Sequence, residues 1–198
     1  DYALHLRDIA FDWGIAGRIL KISIPSATQY SLFAVANICI QTSVNQFDHV
    51  VVEGNAAAVN ADTLIFDMMA AFYTACTSFV AQNFGAGRKD RIWHSFLITT
   101  LYSFSVGLIL GLSLLILQKP FLSLFTSDPN VMKYASIRIT ILSLSYCVSA
   151  FMDNATAASR GLGKSVAPAL FVIVGVVVLR IIWLFTIFAY FHTLQSLY

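Results

Sequence analysis

The chain has 198 residues, is 58% hydrophobic and 11% charged, and has a mean hydropathy of +0.76. Soluble domains carry roughly 25% charged residues, which this chain does not approach. A net charge of +2, with no basic stripe interleaved with aromatics, argues against nucleic acid as a partner. Cys39, Cys76 and Cys147 lie far apart in apolar stretches, with no CxxC and no Cys/His cluster, so they read as small buried residues.

In chain order, residues 1–18 are mixed and charged, with Leu4, Leu6, Ile9, Phe11 and Ile15 loosely on one side of a helix. They are too short and polar to span a bilayer and read as a lead-in at the membrane surface. Five spans follow, at about 19–47, 55–83, 96–117, 134–159 and 167–191, each long enough for the roughly 20 residues that a bilayer requires. The fold class is therefore all-α polytopic membrane protein. Spans 96–117 and 167–191 are apolar enough to face lipid. The other three are polar, and should face one another or a water-filled cavity. Pro25, in "SIPS", is expected to open the first span, and Pro168 sits near the start of the fifth.

The joints are short. Residues 48–54 form an acidic link, 85–91 a basic link, 120–130 contain the turn "TSDPN", and 160–165 read "RGLGKS". Arg7, Arg18, Lys21, Arg88, Lys89, Arg91, Arg160 and Lys164 fall on one side of the membrane, against Lys119 and Lys133 on the other. That bias places the N-terminal end in the cytoplasm. Arg138 and Arg180 lie within spans and are left out of the comparison. The chain opens on Asp1, shows no signal-peptide pattern and ends at Tyr198, which leads us to expect a fragment of a longer membrane protein.

"GLGKS" is similar to a phosphate-binding loop, but GxxxxGK would need glycine at position 158, which is Ala158, and no strand precedes it. A tight cytoplasmic turn with anchoring charges is the expectation. His5, His49, His94 and His192 sit near span ends or links and pair with no Ser or Cys nucleophile by sequence. The chain is read as a non-enzyme without a cofactor.

The embedded acids carry the functional signal. Asp62 and Asp67 fall in the second span and Asp153 in the fourth. A charge at mid-membrane costs about 3 kcal/mol or more, and such residues usually face a cavity and handle ions or cationic ligands. Helical spacing places Asn55, Asp62 and Tyr73 on one face, and Asn60, Thr63, Asp67 and Thr74 on a second. Asp62 and Asp67 are about 140° apart, which does not suit a carboxylate dyad. Tyr146, Ser149 and Asp153 share a face with Asn154 adjacent, and Tyr30, Asn37, Gln41 and Asn45 share another. A cavity lined by these faces suits an organic cation or an alkali ion. The plainer alternative is interhelical polar packing, with Arg138 or Arg180 neutralising an acid.

The stretches "ILKISIPSATQYSLFAVANICIQTSVNQF", "GNAAAVNADTLIF", "TSFVAQNFGAGRKDR", "LFTSDPNVM", "FMDNATAASRGLGKSVAPAL" and "LRIIW" follow in order over nearly all 198 residues. Together they resemble the second half of a MATE (multidrug and toxic compound extrusion) transporter, nearest the DinF-like bacterial branch. The resemblance implies a twelve-helix protein of two six-helix lobes. Residues 1–18 would be the interlobe linker and 19–198 a C-lobe fragment holding helices seven to eleven, without the N-terminal lobe. It implies a multi-pass protein of the bacterial inner membrane, surrounded by lipid, that exports small organic cations by alternating access against Na⁺ or H⁺. Asp153, in "MDN", matches an acidic position used for cation binding in this lobe. Asp62, in Asn60-Ala61-Asp62-Thr63, falls where relatives have Glu in an "NIEG" stretch. Some members also carry an acid in the first of these spans; here Asn37, Gln41 and other neutral groups stand.

On this reading Asp153 and Asp62, with Asp67, hold the coupling cation or proton, with a Na⁺ site centred on Asp153 and Asp62. Tyr30, Asn37, Gln41, Asn60, Tyr73, Tyr146, Ser149 and Asn154 line the cavity, where the aromatics hold cations by cation–π contact worth about 0.5–2 kcal/mol. Two alternatives stay open: a flippase for lipid-linked oligosaccharides in the same superfamily, and a membrane scaffold that transports nothing.

Overall fold

The computed structural model describes residues 11–191 and 193–197. Leu4, Leu6 and Ile9 of the lead-in, with His5, Arg7 and His192, lie outside the described residues. Every regular element described is helical: α1 (Trp13–Val44), α2 (His49–Gly85), α3 (Lys89–Ile116), the short α4 (Gln118–Leu122), α5 (Pro129–Leu142), α6 (Ser145–Gly161), α7 (Val166–Phe191) and a terminal turn, α8 (Leu194–Leu197). Among the described residues, α2, α3 and α7 are long and apolar enough to cross a membrane, and α5 with α6 would make a fourth, bent span. The chain is thus an all-α membrane protein. At 32 residues, α1 is long enough, but Gln29, Asn37 and Gln41 hold down its apolar content.

The helix starts follow local chemistry. α1 begins at Trp13, inside the lead-in, because the Asp12 carboxylate accepts the amides of Gly14 (2.7 Å) and Ile15 (3.2 Å). Asp128 caps α5 in the same way, through the Asn130 amide at 2.8 Å, with Pro129 at the first helical position. Two interhelical turns end on glycines in the left-handed region, Gly87 (φ 71°) and Gly163 (φ 76°). In each, the amide of the next residue returns to a carbonyl five positions back, Arg88 to Asn83 and Lys164 to Ser159. "RGLGKS" is therefore a helix-ending turn.

Two expectations need correction. Pro25 does not open a helix; it lies well inside α1. A proline there cannot bond the carbonyl four residues back, and the buried Ser165 hydroxyl turns toward that orphan, the Lys21 carbonyl, at 3.4 Å. The fourth span, expected as one rod over 134–159, is broken at Ser143–Leu144 and bent by 50°. Ahead of the break, the hydroxyls of Ser136, Thr140 and Ser143 each bond a carbonyl three or four residues back, an arrangement that bends helices.

The main body is a bundle of α2, α3, α5 and α6, and its core holds Ala57, Ala58, Ala61, Ile65, Met69, Leu114, Ile139, Tyr146 and Ala150. Small residues set the helix spacing, as is usual where lipid supplies no hydrophobic drive between helices. A Cβ on Gly54 would meet the Val131 carbonyl oxygen at 2.8 Å, and one on Gly107 would meet the Met69 sulfur at 3.1 Å. A Cβ on Gly111 would collide with the Ser143 carbonyl oxygen, so the backbone of α3 lies directly against the break in the bent span. Outside the bundle, α1 packs mainly on α7 and only sparingly on α2. Val44, Leu184 and Phe188 form that second core. The outward faces of α3 and α7 carry Leu101, Ile109, Ile116, Phe171 and Phe185, all largely exposed, as lipid contact requires. Turns with five-residue hydrogen-bond spacing interrupt α7 at Ile173–Val178 and Leu184–Phe188.

Gly111→Val is expected to destabilise the bundle by about 1–3 kcal/mol through overpacking, seen as a lower thermal midpoint in detergent. Gly175→Ala, whose Cβ would meet nothing within 4 Å, is expected to leave the midpoint unchanged.

Candidate functional site

The two embedded acids of the expected cation site have opposite surroundings. Asp62, on α2, is buried and fully engaged. Arg138 of α5 donates to its Oδ2 through Nε at 2.9 Å and Nη2 at 2.6 Å, and the Tyr146 hydroxyl of α6 donates to its Oδ1. Arg138 and Tyr146 stand on opposite sides of the break in the bent span. In a straight helix they would be about 12 Å apart along the axis. One carboxylate thus bridges the two halves of the bend.

The network continues outward. Arg138 Nη1 donates to Asn55 Oδ1 at 2.7 Å, Asn55 Nδ2 donates to Gln41 Oε1 at 3.2 Å, and Gln41 Nε2 donates to Asn45 Oδ1 at 3.0 Å. Residues of α1, α2, α5 and α6 are joined in one chain of hydrogen bonds. Both carboxylate oxygens of Asp62 are occupied, and its charge is matched by the Arg138 guanidinium.

Asp153, on α6, is half-buried and makes no hydrogen bond or ion pair with any other described residue. Its nearest electrostatic neighbours are Arg160, two helical turns further along α6, and Tyr73 of α2. Tyr73 is also within electrostatic reach of Tyr30 and Asp67. Arg160 is held by α1: Nη1 donates to the Tyr30 hydroxyl at 3.0 Å, Nη2 to Gln29 Oε1 at 2.9 Å, and its guanidinium lies 5.2 Å from the Tyr30 ring centre. Asp153, Tyr73, Arg160 and Tyr30 therefore form a second constellation, and Asp67, which is exposed, is within electrostatic reach of its Tyr73.

The other expected lining residues are spread out. Asn60 is exposed, and its amide returns to the Ala56 carbonyl at 3.2 Å. Ser149 bonds the Tyr146 carbonyl of its own helix at 2.8 Å. Tyr146 and Asn154 are buried between helices, and Asn154 Oδ1 has no hydrogen-bond partner among the described residues. Asn37 accepts from Arg180 Nη1 at 3.0 Å. Gln29 and Arg160 were not among the expected residues. For Arg160 the seven-residue spacing from Asp153 on one helix face was a signal in the sequence; for Gln29, on α1, there was none. Among the described residues, no group of three His, Cys, Asp or Glu side chains could hold a metal ion; an alkali ion at Asp153 would draw its other ligands from neutral oxygens.

Residues 25–186 match the MatE family. The chain belongs to that family. Its length is also close in sequence to three curated proteins. An FAD transporter of Shewanella oneidensis is 26% identical over 129 residues, covering 65% of this chain and 28% of that protein. A probable multidrug resistance protein NorM of Thermotoga maritima is 22% identical over 189 residues, covering 91% and 39%. Its namesake in Bacillus subtilis is 24% identical over 177 residues, covering 85% and 38%. The chain therefore spans less than two fifths of the length of each relative. Membership of the MatE family agrees with the apolar helices and the embedded polar chain.

Arg138→Met is expected to cost about 3–5 kcal/mol, because it leaves Asp62 charged and unpaired in the bundle. Adding Asp62→Asn should recover most of that loss. Reversible unfolding in mixed micelles would measure the cycle; a double variant as unstable as the single one would show that the two side chains do not act as a pair.

Proposed function

We propose that this MatE-family chain forms most of the C-terminal lobe of a secondary active exporter of drugs that are organic cations, driven by inward Na⁺ or H⁺. The observation that carries the proposal is Asp153: a half-buried carboxylate within a span, without an ion-pair partner among the described residues. A bare carboxylate at that depth is costly, and a proton or a sodium ion relieves the cost. The names of the relatives, two probable multidrug resistance proteins and a transporter, support the export reading.

In the proposed cycle Asp153 takes up the coupling cation from outside. Arg160 is the competing positive charge on the same helix. While Asp153 is loaded, Arg160 stays on Tyr30 and Gln29; once Asp153 is bare, the guanidinium is drawn toward it and away from α1. The contact between α1 and α6 then depends on whether the cation is bound. Ion binding shifts the two access states only through such a difference in affinity. Tyr30 and Tyr73 would offer ring faces to a cationic drug beside this site. Asp62 takes part in cation binding only if the Arg138 pair opens, so its first role in the proposal is to hold the bend.

The test uses the complete polypeptide in inverted vesicles under imposed Na⁺ or H⁺ gradients. Asp153→Asn is expected to lower gradient-driven dye efflux at least tenfold, or about 1.4 kcal/mol of coupling, with dye binding retained. Full coupled efflux in that variant would remove Asp153 from the mechanism. Efflux absent from the wild type under both gradients would redirect the search to lipid-linked substrates.

A further inference from the structure

Arg180 has no place in the coupling scheme, and its surroundings are unusual. It lies on α7 (Val166–Phe191), 14 residues from one end and 11 from the other, so about 21 Å and 16 Å from the helix ends. That distance is too great for the side chain to reach either surface. A guanidinium carries five N–H donors and no acceptor. Among the described residues only one donor is used: Nη1 donates to Asn37 Oδ1 at 3.0 Å. The Phe33 ring lies 5.7 Å from the guanidinium carbon and supports it by cation–π contact. No carboxylate among the described residues pairs with it. The charge that it feels is a second cation, Arg138, whose own pairing with Asp62 is complete.

Among the described residues, the charges named around this point are two guanidiniums, Arg180 and Arg138, and the Asp62 carboxylate. An embedded cation without a counterion is expensive, and such residues ordinarily mark a ligand path. Asn37 and Phe33 hold the guanidinium in place while leaving its Nε and Nη2 edge open among the described residues. That edge is the fork that binds two oxygens of a phosphate or carboxylate side by side.

We propose that Arg180, oriented by Asn37 and Phe33, is a receptor for an oxyanion, a phosphate or carboxylate group carried by an amphiphilic ligand. The ligand's anionic group takes the open fork, and its apolar body lies along the α1–α7 surface beside Phe33. The site is separate from Asp153 and requires no gradient, so it stands or falls independently of the coupling scheme. It widens the ligand class from organic cations to amphiphiles that carry an acid group.

Equilibrium titration of the complete polypeptide, in nanodiscs of phosphatidylcholine, tests the site with two matched probes, naphthyl phosphate and naphthylmethylammonium. A third probe, short-chain phosphatidic acid, distinguishes a lipid headgroup from a free amphiphile. Arg180→Gln is expected to weaken whichever phosphate probe binds by about tenfold or more and to leave naphthylmethylammonium within about twofold. Arg180→Lys keeps the charge but loses the fork and is expected to fall between. Asn37→Asp supplies a carboxylate from α1 to the same guanidinium. It is expected to abolish phosphate binding while raising the thermal midpoint, which separates loss of the site from loss of the fold. Unchanged phosphate affinity in Arg180→Gln or Asn37→Asp would overturn the proposal. So would an equal loss for both charged probes, or no binding of either phosphate probe by the wild type.

Discussion

The Asp62 carboxylate bridges a broken helix. α5 and α6 would form one span were it not for the bend at Ser143–Leu144, and a bend leaves backbone groups and helix ends to be held by something else. Arg138 before the bend and Tyr146 after it both reach Asp62 on α2. Gly111 lets the α3 backbone press against the Ser143 carbonyl from the other side. The bent span is thus held between a charge-assisted contact and a close backbone contact. Ala58 and Ala61 of α2 pack with Tyr146 in the same core.

The remaining two helices are attached differently. α1 and α7 share an apolar core near their C-terminal ends, but α1 is tied to the bundle by polar contacts, Arg160 to Gln29 and Tyr30 and Asn55 to Gln41, and to the turn before α7 by Ser165, which reaches the carbonyl freed by Pro25. Polar ties across a lipid-exposed interface are worth about 1 kcal/mol each, and less in some measured cases. They can break and re-form at small cost, whereas the alanine- and glycine-lined bundle cannot be repacked without large penalties. The ties between α1 and α6 run through Arg160, which shares a helix face with Asp153.

Charge arithmetic explains why the embedded residues divide into roles. Asp62 is matched by Arg138, so that pair is structural cement. Arg160 is within electrostatic reach of Asp153 without pairing with it. Among the described residues, Arg180 has only neutral partners, Asn37 and Phe33. Three arginines of one chemical kind thus differ in what they can do because their partners differ in charge and distance.

The amino-acid sequence by itself determined the class of protein and the rough position of its long apolar helices, and it set an expectation for which side of the membrane its loops face. Those properties follow from local quantities: apolar content over about 20 residues, turn-forming glycines and the distribution of Lys and Arg. It also singled out Asp62 and Asp153, because any acid inside a span stands out, and the order of its stretches made the family resemblance visible. What it could not show was which acid has a partner. Asp62 and Arg138 are 76 residues apart, and no helical periodicity links positions on different helices. The break at Ser143, the interior place of Pro25 and the open fork of Arg180 were hidden for the same reason. Only the tertiary structure decides which side chains from separate helices meet, because burial, charge pairing and close backbone approach are set by helix packing rather than by spacing along one helix.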